Sequence, residues 1–223
     1  MKLILSGGGK PKKTKKLDKF FLSLLPKNKV LLYIPIAKTT RPYKECYNWF
    51  KSVFNVLGFE DIEMWTKLSD KRLKHLKKFG SIYLGGGDVY YLLNIFKKTG
   101  FMDILKRYIK EGGIVYGDSA GAVILGKDII TASYIDEDKF STKNTRGLNC
   151  VNDYAVAVHY KVEHDREIMK LVRKYGFKVI ALSEGSGLYV EDHKLFVIGE
   201  GKVYLFNKKG KSKLNILKAK FSS

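Results

Sequence analysis

A serine stands between two glycines in Gly117-Asp118-Ser119-Ala120-Gly121, directly after the apolar run Ile114-Val115-Tyr116. Serine is a weak nucleophile near neutral pH and serves acyl transfer only beside a base that takes its proton. A Gly-x-Ser-x-Gly turn can lift the hydroxyl from a strand end into a cleft. The same glycines equally suit a plain strand-to-helix turn in which two elements approach closely. The four histidines narrow the choice. His75 falls in the basic stretch Lys71 to Lys78, His193 at a hairpin tip, and His164 at the start of a helix. His159 alone ends a buried strand, "YAVAV", and is the best base; a histidine merely tucked into the core is the competing reading. Metal ligation by His159 and His164 lacks a convincing third ligand, so neither a metal nor a cofactor is expected.

A catalytic histidine needs a carboxylate that fixes its tautomer and stabilises the imidazolium. Glu184 follows the strand "VIALS" in a tight turn, and Asp136 lies in the polar loop "SYIDEDKF". Glu184 is preferred because a strand-end turn holds a side chain more rigidly than a loop crowded by Glu137 and Asp138, and Asp136 remains the alternative. Acyl transfer also builds negative charge on the carbonyl oxygen. The backbone amides of Gly87 and of Ala120, the latter opening the helix after the serine, are the candidate oxyanion donors. Gly85-Gly86-Gly87 lacks the Gly-Lys-Ser/Thr ending of a phosphate loop and the full dinucleotide-binding fingerprint. Ser6-Gly7-Gly8-Gly9 fails the same test and suits a loop at the cleft rim.

The elements that must position these groups follow from apolar patterning. "KVLLYIPIA", "SIYL" and "GIVYG" are short apolar runs that read as buried parallel strands. Between them Cys46, Tyr47, Phe50, Val53, Phe54 and Leu57 recur at helical spacing up to Gly58, and "VYYLLNIFKK" and "FMDILKRYIK" form a broken helical pair. "DYAVAVHY" and "KVIALSEG" are strands flanking the helical "DREIMKLVRKYG", and the stretch from Gly187 to Gly210 alternates as a hairpin meander. Strands alternating with helices predict an α/β fold in three layers. A mostly parallel sheet is covered by helices on both faces, with antiparallel hairpin strands at the C-terminal end. In such sheets ligands sit outside the carboxyl ends of the strands, where Gly87, Ser119, His159 and Glu184 all fall. With no linker or repeat, residues 1–223 are expected to form one domain.

"LSGGG", "YIPIA", "YLGGGDVYYLL", "YGDSAGAVIL", the His159 strand end and "ALSEGSGLYV" occur in the same order as in peptidase family S51, which the chain resembles from Met1 to about Gly199. The resemblance implies a fold similar to class I glutamine amidotransferases, with Ser119 where those enzymes carry a nucleophilic cysteine. It implies Ser119 as nucleophile, His159 as base, and Gly87 with Ala120 as oxyanion donors. Dipeptidase E members carry an aspartate in the loop after the nucleophile helix, where ungapped alignment places Tyr134, two residues before Asp136. Cyanophycinase-like members draw the acid from the strand-end motif that Glu184 matches. Asp88 stands where many members have Asn, and Val158 where dipeptidase E has Pro. Arg166, in the helix where dipeptidase E carries arginines, is the candidate to pair an aspartyl carboxylate.

The bulk properties limit the alternatives. The net charge is +20, from 42 Lys+Arg against 22 Asp+Glu, which admits a non-catalytic basic binding module on the same fold. The excess is mostly lysine, and its densest run, Lys10 to Lys19, reads as the exposed first turns of an amphipathic helix carrying Phe20, Phe21, Leu24 and Leu25. No RNA-reading aromatic signature, zinc-finger spacing or DNA-reading helix pair accompanies it, so no nucleic acid is expected. No run approaches the roughly 20 apolar residues of a membrane helix, and Lys2 to Ser6 is too short for a signal peptide. Cys46 and Cys150 have neither redox nor disulfide spacing, which suits a reduced cytoplasmic interior. The expected protein is a cytoplasmic serine peptidase, monomeric or homodimeric. It cleaves small peptides, with an N-terminal aspartate or with an isopeptide bond as in cyanophycin.

Overall fold

The computed structural model describes residues 1–26 and 29–214; of the unit expected over 1–223, residues 27, 28 and 215–223 lie outside the described residues. In chain order the elements are β1 (Lys2–Ser6), α1 (Pro11–Ser23), β2 (Leu31–Ile34), α2 (Tyr43–Asn55), β3 (Ile62–Met64), α3 (Leu73–Leu76), β4 (Ser81–Leu84), α4 (Val89–Thr99) and α5 (Phe101–Lys110). There follow β5 (Ile114–Asp118), α6 (Ala120–Leu125), β6 (Tyr154–Ala157), α7 (Asp165–Tyr175), β7 (Lys178–Leu182), β8 (Ser186–Glu191), β9 (Lys194–Gly199), β10 (Val203–Asn207) and β11 (Gly210–Lys213).

A seven-stranded sheet has the order β3-β2-β4-β5-β1-β8-β9. The first five strands are parallel, and the β8–β9 hairpin adds antiparallel to β1. Side chains alternate across it as the pleat requires. Leu3, Leu5, Leu32, Ile34, Ile82, Leu84 and Val115 face one core with α4, α5 and α6. Ile4, Leu31, Tyr33, Tyr83, Ile114 and Tyr116 face the other, under α1 and α2. Both faces are buried, which is why these strands read as continuous apolar runs.

The strands expected around the helix "DREIMKLVRKYG" do not join that sheet. They form a second sheet of order β11-β10-β7-β6, in which β6 and β7 pair in parallel. Its residues alternate as well. Val156, Ile180 and Leu182 enter the large core, whereas Ala155, Ala157, Val179 and Ala181 meet Ile168 and Val172 of α7. The apolar pattern identifies these strands but cannot say which sheet receives them, since burial on both faces looks the same in either place.

On the α1–α2 face, Tyr33, Tyr83 and Tyr116 sit side by side in register on β2, β4 and β5. The Tyr83 and Tyr116 rings stack 4.4 Å apart, Phe50 stacks on Tyr33 at 3.9 Å, and Phe21 meets Tyr116 edge-on at 5.2 Å. Each such side chain contributes about 1.5–3 kcal/mol on burial, so this layer anchors α1 and α2 to the sheet. It also encloses a carboxyl group. Asp18 of α1 is 2% exposed; its Oδ2 accepts a 2.8 Å bond from the Thr14 hydroxyl, and among the described residues its Oδ1 accepts no hydrogen bond of normal geometry. Burial raises its pKa to about 7, opposed by the Thr14 bond and reinforced by the nearby Asp118 charge.

That shift has a defined consequence for stability. The folded-state pKa lies above the unfolded one, so over the interval between them the folded protein keeps a proton that the unfolded chain has released. The contribution is complete in acid and is lost as pH rises towards about 7. Asp18 should therefore remove about 3 kcal/mol of stability between pH 5 and pH 8. Asp18→Asn, which keeps the acceptor for Thr14, should flatten that part of the profile; denaturant unfolding at the two pH values measures it. An unchanged slope in the variant would show that Asp18 is not the group responsible.

Candidate active site

The carboxyl ends of β1, β2, β4 and β5 and the segment after β6 border one cleft of about 810 Å³. Ser119 occupies the turn from β5 into α6 with φ 49° and ψ −109°, a conformation that side-chain-bearing residues rarely adopt. The flanking glycines make the turn possible by close approach. A Cβ on Gly117 would lie 2.3 Å from the Gly121 oxygen, and one on Gly121 would lie 2.4 Å from the Leu84 oxygen. The Ser119 N–H donates to the Ser6 oxygen at 3.2 Å, and its carbonyl accepts from Ala122 and Val123 N–H groups at 2.8 and 3.0 Å. These bonds fix the Ser119 backbone at the mouth of the cleft.

His159 follows β6 with φ 50°, and its N–H donates to the Gly7 oxygen at 3.0 Å, which ties the second sheet to the end of β1. Its Nε2 lies 2.8 Å from Ser119 Oγ, and its Nδ1 lies 3.4 Å from Glu184 Oε1. The first distance is a full hydrogen bond; the second is a charge contact slightly longer than one. With Nδ1 protonated and turned towards Glu184, Nε2 is free to accept the serine proton. Glu184, in the turn between β7 and β8, receives Lys13 Nζ on Oε2 at 2.8 Å. The Lys13 bond, with a further contribution from His159, holds the Glu184 carboxyl below its ordinary range against a partial burial cost.

The other acid candidate has a different occupation. Asp136 Oδ2 accepts the Val89 N–H at 3.1 Å, the first amide of α4, while Asp88 accepts Tyr91 N–H at 2.9 Å; together they cap that helix. Burial raises the Asp136 pKa against the Val89 bond. Asp136 lines the cleft, but among the described residues no hydrogen bond joins it to His159. Gly87 and Ala120 also line the cleft, and among the described residues neither N–H has an acceptor. Two free donors beside a hydrogen-bonded serine–histidine pair can stabilise an oxyanion at that serine.

Arg166 does not join this group. It lies exposed on α7 and outside the cleft lining, because Ile168 and Val172 turn towards the second sheet and leave Arg166 facing solvent. The cations that do border the cleft are Lys10, Lys38, Arg41 and Lys139, and none of them forms an ion pair among the described residues. Lys38 and Arg41 come from the segment after β2, another strand end pointing at the cleft, and that topology was the signal available for them. Gly8 carried no such signal: a Cβ there would lie 2.3 Å from Cε1 of His159. The His164 ring lies tilted against Tyr134 at 4.5 Å, and among the described residues no three His, Cys, Asp or Glu side chains gather as metal ligands.

The profile of peptidase family S51 matches residues 3–198 of the chain. A protein named "Peptidase E" from Nostoc sp. is 27% identical over 188 residues, covering 80% of this chain and 76% of its own length. A "Probable alpha-aspartyl dipeptidase" of Drosophila melanogaster is 23% identical, covering 82% of this chain and 78% of its own. A 1.5 Å crystal structure of a candidate peptidase E from Listeria monocytogenes EGD-e superposes with a TM-score of 0.71 at 24% identity, covering 89% of this chain and 98% of that one. The likeness to the solved structure establishes the fold.

The contact between Gly8 and the imidazole gives a test independent of any substrate. Gly8→Ala should displace His159 from Ser119, and misplacement of about 1 Å typically costs on the order of 100-fold in rate. The rate of Ser119 labelling by a fluorophosphonate, compared with a melting curve of the same variant, measures this. Labelling at the wild-type rate would mean that the ring is not held where the geometry has it.

Proposed function

The chain belongs to peptidase family S51 and is a peptidase of small peptides, and from that premise we propose that Ser119, His159 and Glu184 are its catalytic triad. The observation that carries the reading is the 2.8 Å bond between Ser119 Oγ and His159 Nε2, made by two residues 40 apart in sequence and borne on different sheets. Ser119 Oγ attacks the scissile carbonyl carbon as its proton passes to His159 Nε2. Glu184 holds the Nδ1 proton and offsets the charge of the imidazolium. The oxygen of the tetrahedral intermediate lies against the Gly87 and Ala120 amides, a donor of this kind typically contributing about 2.7–4 kcal/mol. The imidazolium then protonates the departing amine, the C–N bond breaks, and an ester remains on Ser119. Water, deprotonated by His159, attacks that ester and releases the acid.

The substrate we propose is a short peptide with an acidic N-terminal residue. A relative named as an alpha-aspartyl dipeptidase supports this, as do Lys38 and Arg41, which form no ion pair among the described residues and can take the carboxylate in place of the solvent-facing Arg166. A second reading, cleavage of isopeptide bonds like those of cyanophycin, is favoured by the position of the acid, since Glu184 rather than Asp136 approaches His159. No cofactor takes part in either scheme. We propose residues 1–223 as one functional unit, monomeric or homodimeric, and a cytoplasmic location, which the free thiols of Cys46 and Cys150 support. Among the described residues no helix is long and apolar enough to cross a membrane.

Three variants and a peptide panel test the assignment. Ser119→Ala should lower kcat by on the order of 10⁶ with the fold intact. Glu184→Gln should approach a loss of about 10⁴, and Asp136→Asn should stay under roughly tenfold. A large loss confined to Asp136→Asn would transfer the acid role to that loop. Release of product from α-aspartyl but not β-aspartyl dipeptides would support the first substrate reading, and the reverse would support the second.

A further inference from the structure

The Glu184 side chain is 42% exposed and has two partners, His159 on one oxygen and Lys13 on the other. Its backbone is secured: the Gly185 N–H donates to the Gly8 oxygen at 3.0 Å, and the Ser186 N–H to the Ser183 oxygen at 3.0 Å. Its side-chain dihedrals have no comparable restraint. A carboxylate facing solvent, with its histidine contact at 3.4 Å, would visit several rotamers unless something held it. Lys13 Nζ stands 2.8 Å from Oε2 on the far side from His159.

The neighbouring chain is shaped for this meeting. β1 ends at Ser6, and the three glycines that follow turn the chain into α1, which starts at Pro11. Pro at the first helical position sacrifices no backbone bond and fixes the entry angle. A Cβ on Gly9 would stand 3.4 Å from both the Glu184 and the Lys13 Cβ atoms, so the two side chains leave the backbone close together. One turn further along, Lys16 pairs with Glu200, whose N–H donates to the Gly185 oxygen at 2.9 Å. The first turns of α1 thus meet the β7–β8 turn through Lys13 and the β9–β10 turn through Lys16, and of these two lysines only Lys13 touches the acid behind the histidine.

We propose that Lys13 is a positioning residue of the active site, holding the Glu184 carboxylate ionised and oriented at His159. The proposal rests on Glu184 being the triad acid. An exposed ion pair of this kind contributes little to folding, so the role lies in geometry, and the lysine run of α1 belongs to the catalytic apparatus at this one position.

The test compares kcat and KM on one hydrolysed peptide for Lys13→Met, Lys13→Arg, Lys16→Met, Glu184→Gln and the Lys13→Met/Glu184→Gln double variant, with a melting curve for each. Lys13→Met should lose about tenfold in kcat with KM within about twofold, and Lys13→Arg should recover most of the loss. Lys16→Met removes an ion pair from the same helix and should leave kcat within about twofold. In the Glu184→Gln background Lys13→Met should cost nothing further, because the two act as a unit. A Lys13→Met enzyme with wild-type kcat, or one that loses the same factor with and without Glu184, overturns the proposal while Glu184→Gln still reports on the triad. Near-wild-type kcat in Glu184→Gln overturns the triad assignment and the Lys13 role with it.

Discussion

The strained turn at Ser119 is the constraint around which the molecule is arranged. A non-glycine residue at φ 49° and ψ −109° stores on the order of 1–3 kcal/mol, and such a conformation persists only where its surroundings over-determine it. Here they do. β5 lies between β4 and β1 in the larger sheet, Tyr116 is fixed in a row of stacked rings, and α6 is buried along its whole length. A side chain on Gly117 would strike the Gly121 backbone, and one on Gly121 would strike Leu84 of β4. Once the serine is fixed, the positions of its partners follow from the ends of the neighbouring strands. β1 supplies the oxygen that accepts the Ser119 N–H, β4 leads into Gly87, and β6 delivers His159.

Much of this was legible in the chain because doubly covered parallel strands leave an apolar signature and their carboxyl ends have a known use. That combination singled out Ser119, Gly87, His159 and Glu184 as candidates, and the structure brings all four to one cleft. What stayed hidden was hidden for physical reasons. β6 and β7 carry the same apolar signature in a second sheet as they would in the first, so their partition was invisible. Arg166 was read from its place in a helix, but chain order does not reveal which helical face meets solvent. Asp136 looked like a solvated loop acid, whereas its Oδ2 accepts the first amide of α4, 47 residues earlier in the chain. Lys13 was concealed most thoroughly, since a lysine within a basic run carries no mark that separates a solvated charge from one aimed at a carboxylate.

Charge is distributed with the same economy. Of the acidic groups lining the cleft, Asp88 and Asp136 accept from helix amides, Glu184 meets Lys13 and His159, burial raises the Asp118 pKa, and the exposed Glu137 carboxylate has no side-chain partner among the described residues. Lys10, Lys38, Arg41 and Lys139 at its border form no ion pair among the described residues either. A net charge of +20 and a rim of free lysine and arginine together give the approach to Ser119 a positive potential. Anionic peptides are drawn towards such a cleft, and added salt weakens the attraction because rim charges are screened over about 10 Å at 0.1 M.

Ser119 and His159 belong to different sheets, joined at this point by the bond from His159 N–H to Gly7 and through packing of Val156 beside α6. Chemistry at the cleft is therefore a proximity gauge between two structural bodies, sensitive to their docking before either loses its own strands. Heating that loosens this seam separates Oγ from Nε2 while circular dichroism still records intact helices and strands. Where the seam is the first part to loosen, thermal inactivation runs ahead of unfolding, and the interval between the two is a measure of how firmly the smaller sheet is seated on the larger.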